Sequence, residues 1–189
     1  MSESINSLAG STSAELVPSL SDVADEVGGA WPKGWYPATI IEGYSTPKGK
    51  QFTTSDAPSQ KGDSRNLRLC FSASDGKSER TMQESFNYRS GDLSAERIAY
   101  VLEARTENKG IKNWADKDAQ RSSLALGKLG QIAKAISDTF QFSLNGNGGL
   151  AIAPLVGAKV DIRLGINEEG FNEVTGFAPA GTKTGGKKS

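Results

Sequence analysis

From Gly34 to Tyr44, GWYPATIIEGY, the side chains alternate, with Tyr36, Ala38 and Ile40 on one face and Trp35, Thr39 and Ile41 on the other. A period of two is that of a strand, and Gly43 is where such a strand closes. Alternation returns from Asn66 to Ala73, with Leu67, Leu69 and Phe71 set against Asn66, Arg68, Cys70 and Ser72. Asp75-Gly76 follows, the dipeptide of a tight two-residue hairpin. A third strand over about 78–88 should therefore pair antiparallel with the second. Its facing stays open, because Met82, Phe86 and Tyr88 share a parity with Arg80 and Glu84.

From Asp92 the period becomes helical. Ile98, Val101, Leu102 and Arg105 fall on one side of a helix that Ser94 can cap. A second helix is predicted from about Asp118 to Phe140, with Leu124 or Ala125, then Leu129, Ile132, Ile136 and Phe140, as its apolar stripe. The run NGNGG at 145–149 ends the helical region, since Gly and Asn tolerate positive φ. Ala158 to Ile166 alternates again, with Val160, Ile162, Leu164 and Ile166 inward and Lys159, Asp161 and Arg163 outward. A turn at 167–170 leads to a return strand from Phe171 to Phe177. The order predicts a mostly β chain with inserted α: a five-stranded OB-fold-like barrel with a helical pair between strands 3 and 4. Other small barrels and β-sandwiches share that order, because order does not fix pairing.

Composition narrows the chemistry. Lys plus Arg and Asp plus Glu number 22 each, so the net charge is zero and wholesale coating of polyanions is not expected. With no His and one Cys, Cys70, the Ser-His-Asp and Cys-His hydrolases, a disulfide and a Cys-based zinc cluster all fall away. The start MSESINSLAG has neither a basic nor an apolar stretch of a secretory signal, and Leu150–Ala158 is too short to cross a bilayer. The expectation is a cytoplasmic, non-enzymatic protein without cofactor or metal.

The charge is also unevenly spread. Residues 1–30 hold Glu3, Glu15, Asp22, Asp25 and Glu26 and no base, whereas 180–189 hold Lys183, Lys187 and Lys188 and no acid. Three parts are therefore expected: a disordered acidic segment at 1–30, a folded domain at 31–179 and a flexible basic tail at 180–189. Leu16, Leu20, Val23 and Val27 still allow a short helix in the first.

The connection from Ser45 to Arg65 has no period and is long for a hairpin, which marks functional or disordered loops. It carries Lys48, Lys50, Lys61 and Arg65 with one aromatic, Phe52. Cations meet phosphates and a ring stacks on a base, so this mixture suits single-stranded nucleic acid, at the loop where OB-folds bind it. A solvated loop of ordinary charge is the competing reading. Arg68, Lys159 and Arg163, with Trp35, Tyr88 and Arg89 near strand ends, would extend the surface, although polar groups on an outer strand face are ordinary. The acidic turn Asn167-Glu-Glu-Gly170 weighs against extending it to that end. Trp31, Trp35 and Trp114 read first as core residues. Gly181–Lys187 mimics a phosphate loop without its strand and helix, and Gly127-Lys-Leu-Gly130 a backbone-clamping loop inside a helical stripe. Glu107-x-Lys109 and Asp116-x-Asp118 have nuclease-like spacings without a partnering acid.

The segments Gly34-x-Tyr36-x-Ala38-x-Ile40, Asn66-Leu-Arg-Leu-Cys-Phe71 and Ser85-Phe-Asn-Tyr88 resemble a family of uncharacterised bacteriophage proteins thought to be OB-fold-like and to bind single-stranded DNA. Leu155–Ile162 and Gly170–Pro179 fit the same pattern, so the resemblance spans about residues 34–179. It implies an OB-like fold and single-stranded DNA as partner in replication or recombination. Phage or host replication proteins would be further partners, without a membrane, in the host cytoplasm. Homo-oligomers remain compatible with it. Cellular single-strand-binding proteins end in an acidic tip, whereas this chain ends in GGKKS. A protein-interaction or virion structural module without nucleic-acid affinity is the first alternative, and a metal-dependent nuclease the second.

Overall fold

In the computed structural model, residues 29–60, 62, 64–107 and 114–184 are described. The acidic segment up to residue 28, Lys61 and the last five residues lie outside them. The sheet is built around β5 (Ser64–Ser74), whose Arg65, Leu67, Leu69, Phe71 and Ala73 are all buried on one side. Along its full length β5 pairs antiparallel with β6 (Glu79–Arg89). The joint is the Asp75-Gly76 turn, where Gly76 takes φ +87 and Asp75 Oδ1 accepts the Lys77 and Ser78 amides at 2.8 and 2.7 Å. Met82, Phe86 and Tyr88 face inward, which settles the parity of this strand, with Arg80 and Glu84 half-buried on the same side.

The opposite edge of β5 is shared by two strands in line. β1 (Gly34–Ile41) lies beside Cys70–Ala73, and β4 (Ser55–Pro58) beside Arg65–Arg68. Between them the chain leaves the sheet as a small hairpin, β2 (Gly43–Ser45) and β3 (Gln51–Thr53). Thr54 closes the break. Its hydroxyl donates to the Ile41 carbonyl at 2.6 Å and accepts the Cys70 amide at 2.9 Å. The single strand expected over 34–44 is thus two, because the chain turns out of the sheet at Glu42.

β1 also pairs with β7 (Lys159–Ile166), and β7 with β8 (Asn172–Pro179), across a bulge at Arg163/Leu164. The sheet, β6–β5–(β4 and β1)–β7–β8, curls into a half-barrel. Among the described residues no ladder joins β6 to β8, but side chains span the gap. Arg80 donates to Asn172 at 3.3 Å, and the Glu84 carboxylate takes the Val174 amide.

Two helices follow β6 and a 3-10 turn at Ser90–Leu93: α1 (Ala95–Glu107) and α2 (Lys117–Ile136). Ser94 Oγ accepts the Arg97 amide at 3.2 Å, and Asp116 caps α2 through the Asp118 and Ala119 amides. α2 packs on β6, β7 and β8, burying Ala125, Leu129, Ile132 and Ala135. It stops at Ile136, where Ser137 is extended, short of the expected Phe140. Leu124 is exposed and Ala125 buried, which decides between the two. Of the stripe expected on α1, only Val101 is buried; Ile98 and Leu102 meet solvent. Glycines 127 and 130 lie inside α2. No described helix is long and apolar enough to cross a membrane.

On β7, Val160, Ile162 and Leu164 are buried as expected, but Ile166 is exposed at the strand end. Asp161 points outward and is nonetheless fully buried, because residues 180–184 form a turn over it. Of the tail expected at 180–189, residues 180–184 thus form a turn, and the rest lies outside the described residues.

Candidate nucleic-acid interface

The β2–β3 hairpin folds across the outer face of β5. Gly43 permits this: a Cβ there would overlap the Phe52 carbonyl oxygen. Its turn is held by the Thr46 amide on the Lys50 carbonyl at 2.8 Å, with Gly49 at φ +78. Tyr44 and Phe52 are cross-strand partners with ring centroids 5.3 Å apart. Two cations flank the Phe52 ring: Lys50 Nζ at 4.9 Å from its centroid and the Arg68 guanidinium at 5.9 Å. Burial raises the pKa of the Tyr44 hydroxyl, as does Cys70, while Arg68 opposes the rise. Lys48 is exposed at the hairpin tip.

Arg68 Nε is buried and has no hydrogen-bond partner among the described residues. Nor has Oε1 of Gln83, the residue directly opposite Cys70 in the ladder. An unmet buried polar atom is costly, of the order of 1–3 kcal/mol. Uncharged polar groups lie on the same face of β5 and β6. Asn66 and Asn87 are hydrogen-bonded at 3.0 Å, and Ser72 faces Thr81 across the ladder. An aromatic ring with cations close by, bordered by groups that accept and donate, can hold a base by its face while the cations meet a phosphate.

Several expected binding residues sit elsewhere. Arg65 shares the parity of Leu67 and is buried, its Nε 2.8 Å from Asp56 Oδ1. Tyr88 is buried too and donates its hydroxyl to Asp56 Oδ2, which also accepts the Leu150 amide at 2.7 Å. Burial first, and the Asp56 carboxylate second, push the Tyr88 pKa far up. Gly149 lies against the Arg65 guanidinium, leaving no room for a Cβ. This cluster clamps β4, β5 and β6 to the turn at 145–150, so Arg65 and Tyr88 are structural. Arg89 pairs with Asp118, which also binds Arg97 at 2.5 Å. Asp116 and Asp118, the pair with a metal-like spacing, are therefore engaged in a helix cap and ion pairs. Among the described residues no three metal-ligating side chains converge.

Trp31 and Trp114 are buried. Trp35 is half-buried at the other end of the outer face, in register with exposed Arg163. Both line a cleft of about 480 Å³ with Lys33, Gly165, Glu173 and Thr175. Lys159 is exposed two residues before Asp161. The outer face thus carries two separate groups, Lys48–Lys50–Phe52–Arg68 and Trp35–Lys159–Arg163. The first includes Tyr44, which the strand pattern assigns to the end of a long strand; Pro47-Lys-Gly49 is the turn signal that separates it from Phe52. No family model and no curated protein matches this chain.

Proposed function

We propose that this protein binds single-stranded DNA, without catalysis, on the outer face of a five-stranded OB-like barrel. The five long strands are β1, β5, β6, β7 and β8, with the helical pair between the third and fourth. Their neighbour order supports this reading, since only β6 and β8 need approach for the barrel to close. The observation that carries the function is Phe52, with the cations of Lys50 and Arg68 close to its ring, on a hairpin laid over β5. A stacked base would cover the ring, and a phosphate or base-edge oxygen would meet the half-buried Arg68 guanidinium. On this reading, and as the resemblance to phage proteins implies, the protein would act in replication or recombination in the host cytoplasm.

The test is a titration with labelled polythymidine and with duplex of equal length. The wild type should bind the single strand in preference, and Phe52→Ala and Arg68→Ala should both weaken that binding. Equal affinity for duplex, or wild-type affinity in both variants, removes the proposal. A protein-docking module is the second reading, favoured by Leu102 and Leu124, 54% and 56% exposed on the two helices. A flat titration at low salt selects it.

A further inference from the structure

Cys70 belongs to the outward set of β5, with Asn66, Arg68 and Ser72, yet it has no exposed surface. The β2–β3 hairpin lies over it: both of its strands pack on β5, and the Phe52 ring meets the Arg68 guanidinium. Among the described residues, no hydrogen bond joins residues 43–53 to β5. The hairpin's bonds are internal, in its short ladder and in the turn between Thr46 and Lys50. It is fastened at its root. There the Thr54 amide donates to the Glu42 carbonyl at 2.7 Å, and the Thr54 hydroxyl ties Ile41 to Cys70. Beyond that root only side-chain packing holds the hairpin down.

The two buried polar atoms without a partner flank Cys70. Arg68 Nε lies two residues back along β5, and Gln83 Oε1 belongs to the residue directly opposite in β6. Arg68 and Gln83 are thus diagonal neighbours across the ladder, within reach of each other's long side chains. One atom is a donor and the other an acceptor. Burial without a partner penalises both, and lifting the hairpin relieves that penalty by opening them to water or to a ligand. The Watson–Crick edge of every nucleobase carries a donor beside an acceptor. In a duplex those edges are engaged in pairing; in a single strand they are open to side chains.

We infer that the β2–β3 hairpin is a flap that lifts from β5 and uncovers Arg68 Nε and Gln83 Oε1 as a donor and an acceptor for the Watson–Crick edge of a base. The inference rests on the proposed single-strand binding. It adds to that site the contact that rejects duplex, with Phe52 on the flap taking the face of the base and the two strands taking its edge.

The experiment uses the full chain and two readouts. Cys70 is the only cysteine, so the rate at which an aromatic disulfide reagent labels the protein reports how often that thiol is uncovered. At urea concentrations below the unfolding transition this rate should stay nearly constant, because a local opening exposes little surface. A rate that climbs from the lowest urea with the full slope of global unfolding means that the hairpin opens only as the protein unfolds, and overturns the inference. The second readout is Gln83→Met, titrated with polythymidine and with duplex of equal length. Its melting temperature should equal or exceed that of the wild type, since an acceptor without a partner gives way to an apolar chain of similar size. Its polythymidine affinity should fall about two- to tenfold, the worth of one hydrogen bond, with duplex affinity unchanged. Wild-type affinity for polythymidine, or an equal loss on duplex, shows that Gln83 meets no base edge and overturns the inference as well. If the wild type binds no polythymidine, the proposed function fails and the base contact with it, whereas constant labelling would still establish the flap. The two failures are thus distinct.

Discussion

Phe71 is fully buried, its ring centroid 5.9 Å from that of Phe177, whereas Phe52 is half-buried beside Tyr44. Phe71→Ala should therefore cost about 3–5 kcal/mol of stability, a large part of what a small domain has. Phe52→Ala loses a half-buried aromatic pair, about 0.5–1.5 kcal/mol beyond the area the ring buries, while weakening single-strand binding by about 1–3 kcal/mol. Chemical denaturation and the same binding titration measure both. A Phe52→Ala protein that unfolds yet binds normally would place the ring in the core and the site elsewhere. At this scale the alternation of β5 carried more information than its charges. Arg65 lies on the side of Leu67, Leu69 and Phe71, so its burial follows from parity alone; what parity cannot show is Asp56, the partner that makes burial tolerable. Tyr88 follows the same logic on β6. Its folded pKa is raised above the ordinary value of 10, so the stability it contributes is complete below that pH and drains away above it. The stability difference between wild type and Tyr88→Phe, measured by urea denaturation, should be constant from pH 7 to 9 and shrink by pH 11. A difference that stays constant to pH 11 would mean that the hydroxyl titrates normally.

The β2–β3 hairpin is the element on which the proposed site depends, and it rests on Gly43. A side chain there meets backbone, the Phe52 carbonyl, which cannot rotate away as a flexible side chain would. Gly43→Ala should consequently lift β3 from β2, separate Phe52 from Arg68, and reduce polythymidine affinity to about that of Phe52→Ala. The main sheet should persist, because Thr54 and the β4–β5 ladder hold the chain beyond the hairpin. Retained affinity in Gly43→Ala would show that the hairpin can shift without consequence. The elements differ in how readily the residue pattern reveals them, for a physical reason. Asp75-Gly76 announces its turn through backbone preference, and the period of two in β1, β5 and β7 reflects faces in different surroundings. Strands of three residues such as β2 and β3 are too short to display a period, and the alternation from Tyr36 to Tyr44 runs straight across the break at Glu42. Helical spacing likewise says that Ile98, Val101 and Leu102 share a side, but not that only Val101 finds something to pack against.

Over the whole molecule the zero net charge conceals a segregation that the total cannot express. On the outer face of the sheet, cations gather at two ends, Lys48, Lys50 and Arg68 at the hairpin and Lys159, Arg163 and Lys183 at β7. Between them Thr39, Ser72 and Thr81 form one uncharged cross-strand row. Asp161 would interrupt this pattern if it were solvated; the turn at 180–184 removes it from the surface. That arrangement depends on a segment without period folding back on a strand that precedes it by some twenty residues, so nothing local in either stretch foretells it. The electrostatic consequence can be measured as a single number. Single-stranded binding weakens with salt by roughly 0.7 in log affinity for each phosphate neutralised. If the hairpin end alone makes contact, its three cations give a slope near −2 against log salt; if both ends do, six give a slope near −4. A slope near −4 that falls toward −2 when Lys159, Arg163 and Lys183 are replaced together would show one strand engaging both ends of the sheet. A slope near zero would mean that neither end neutralises phosphate, and the surface cations would then be solvated groups with no part in binding.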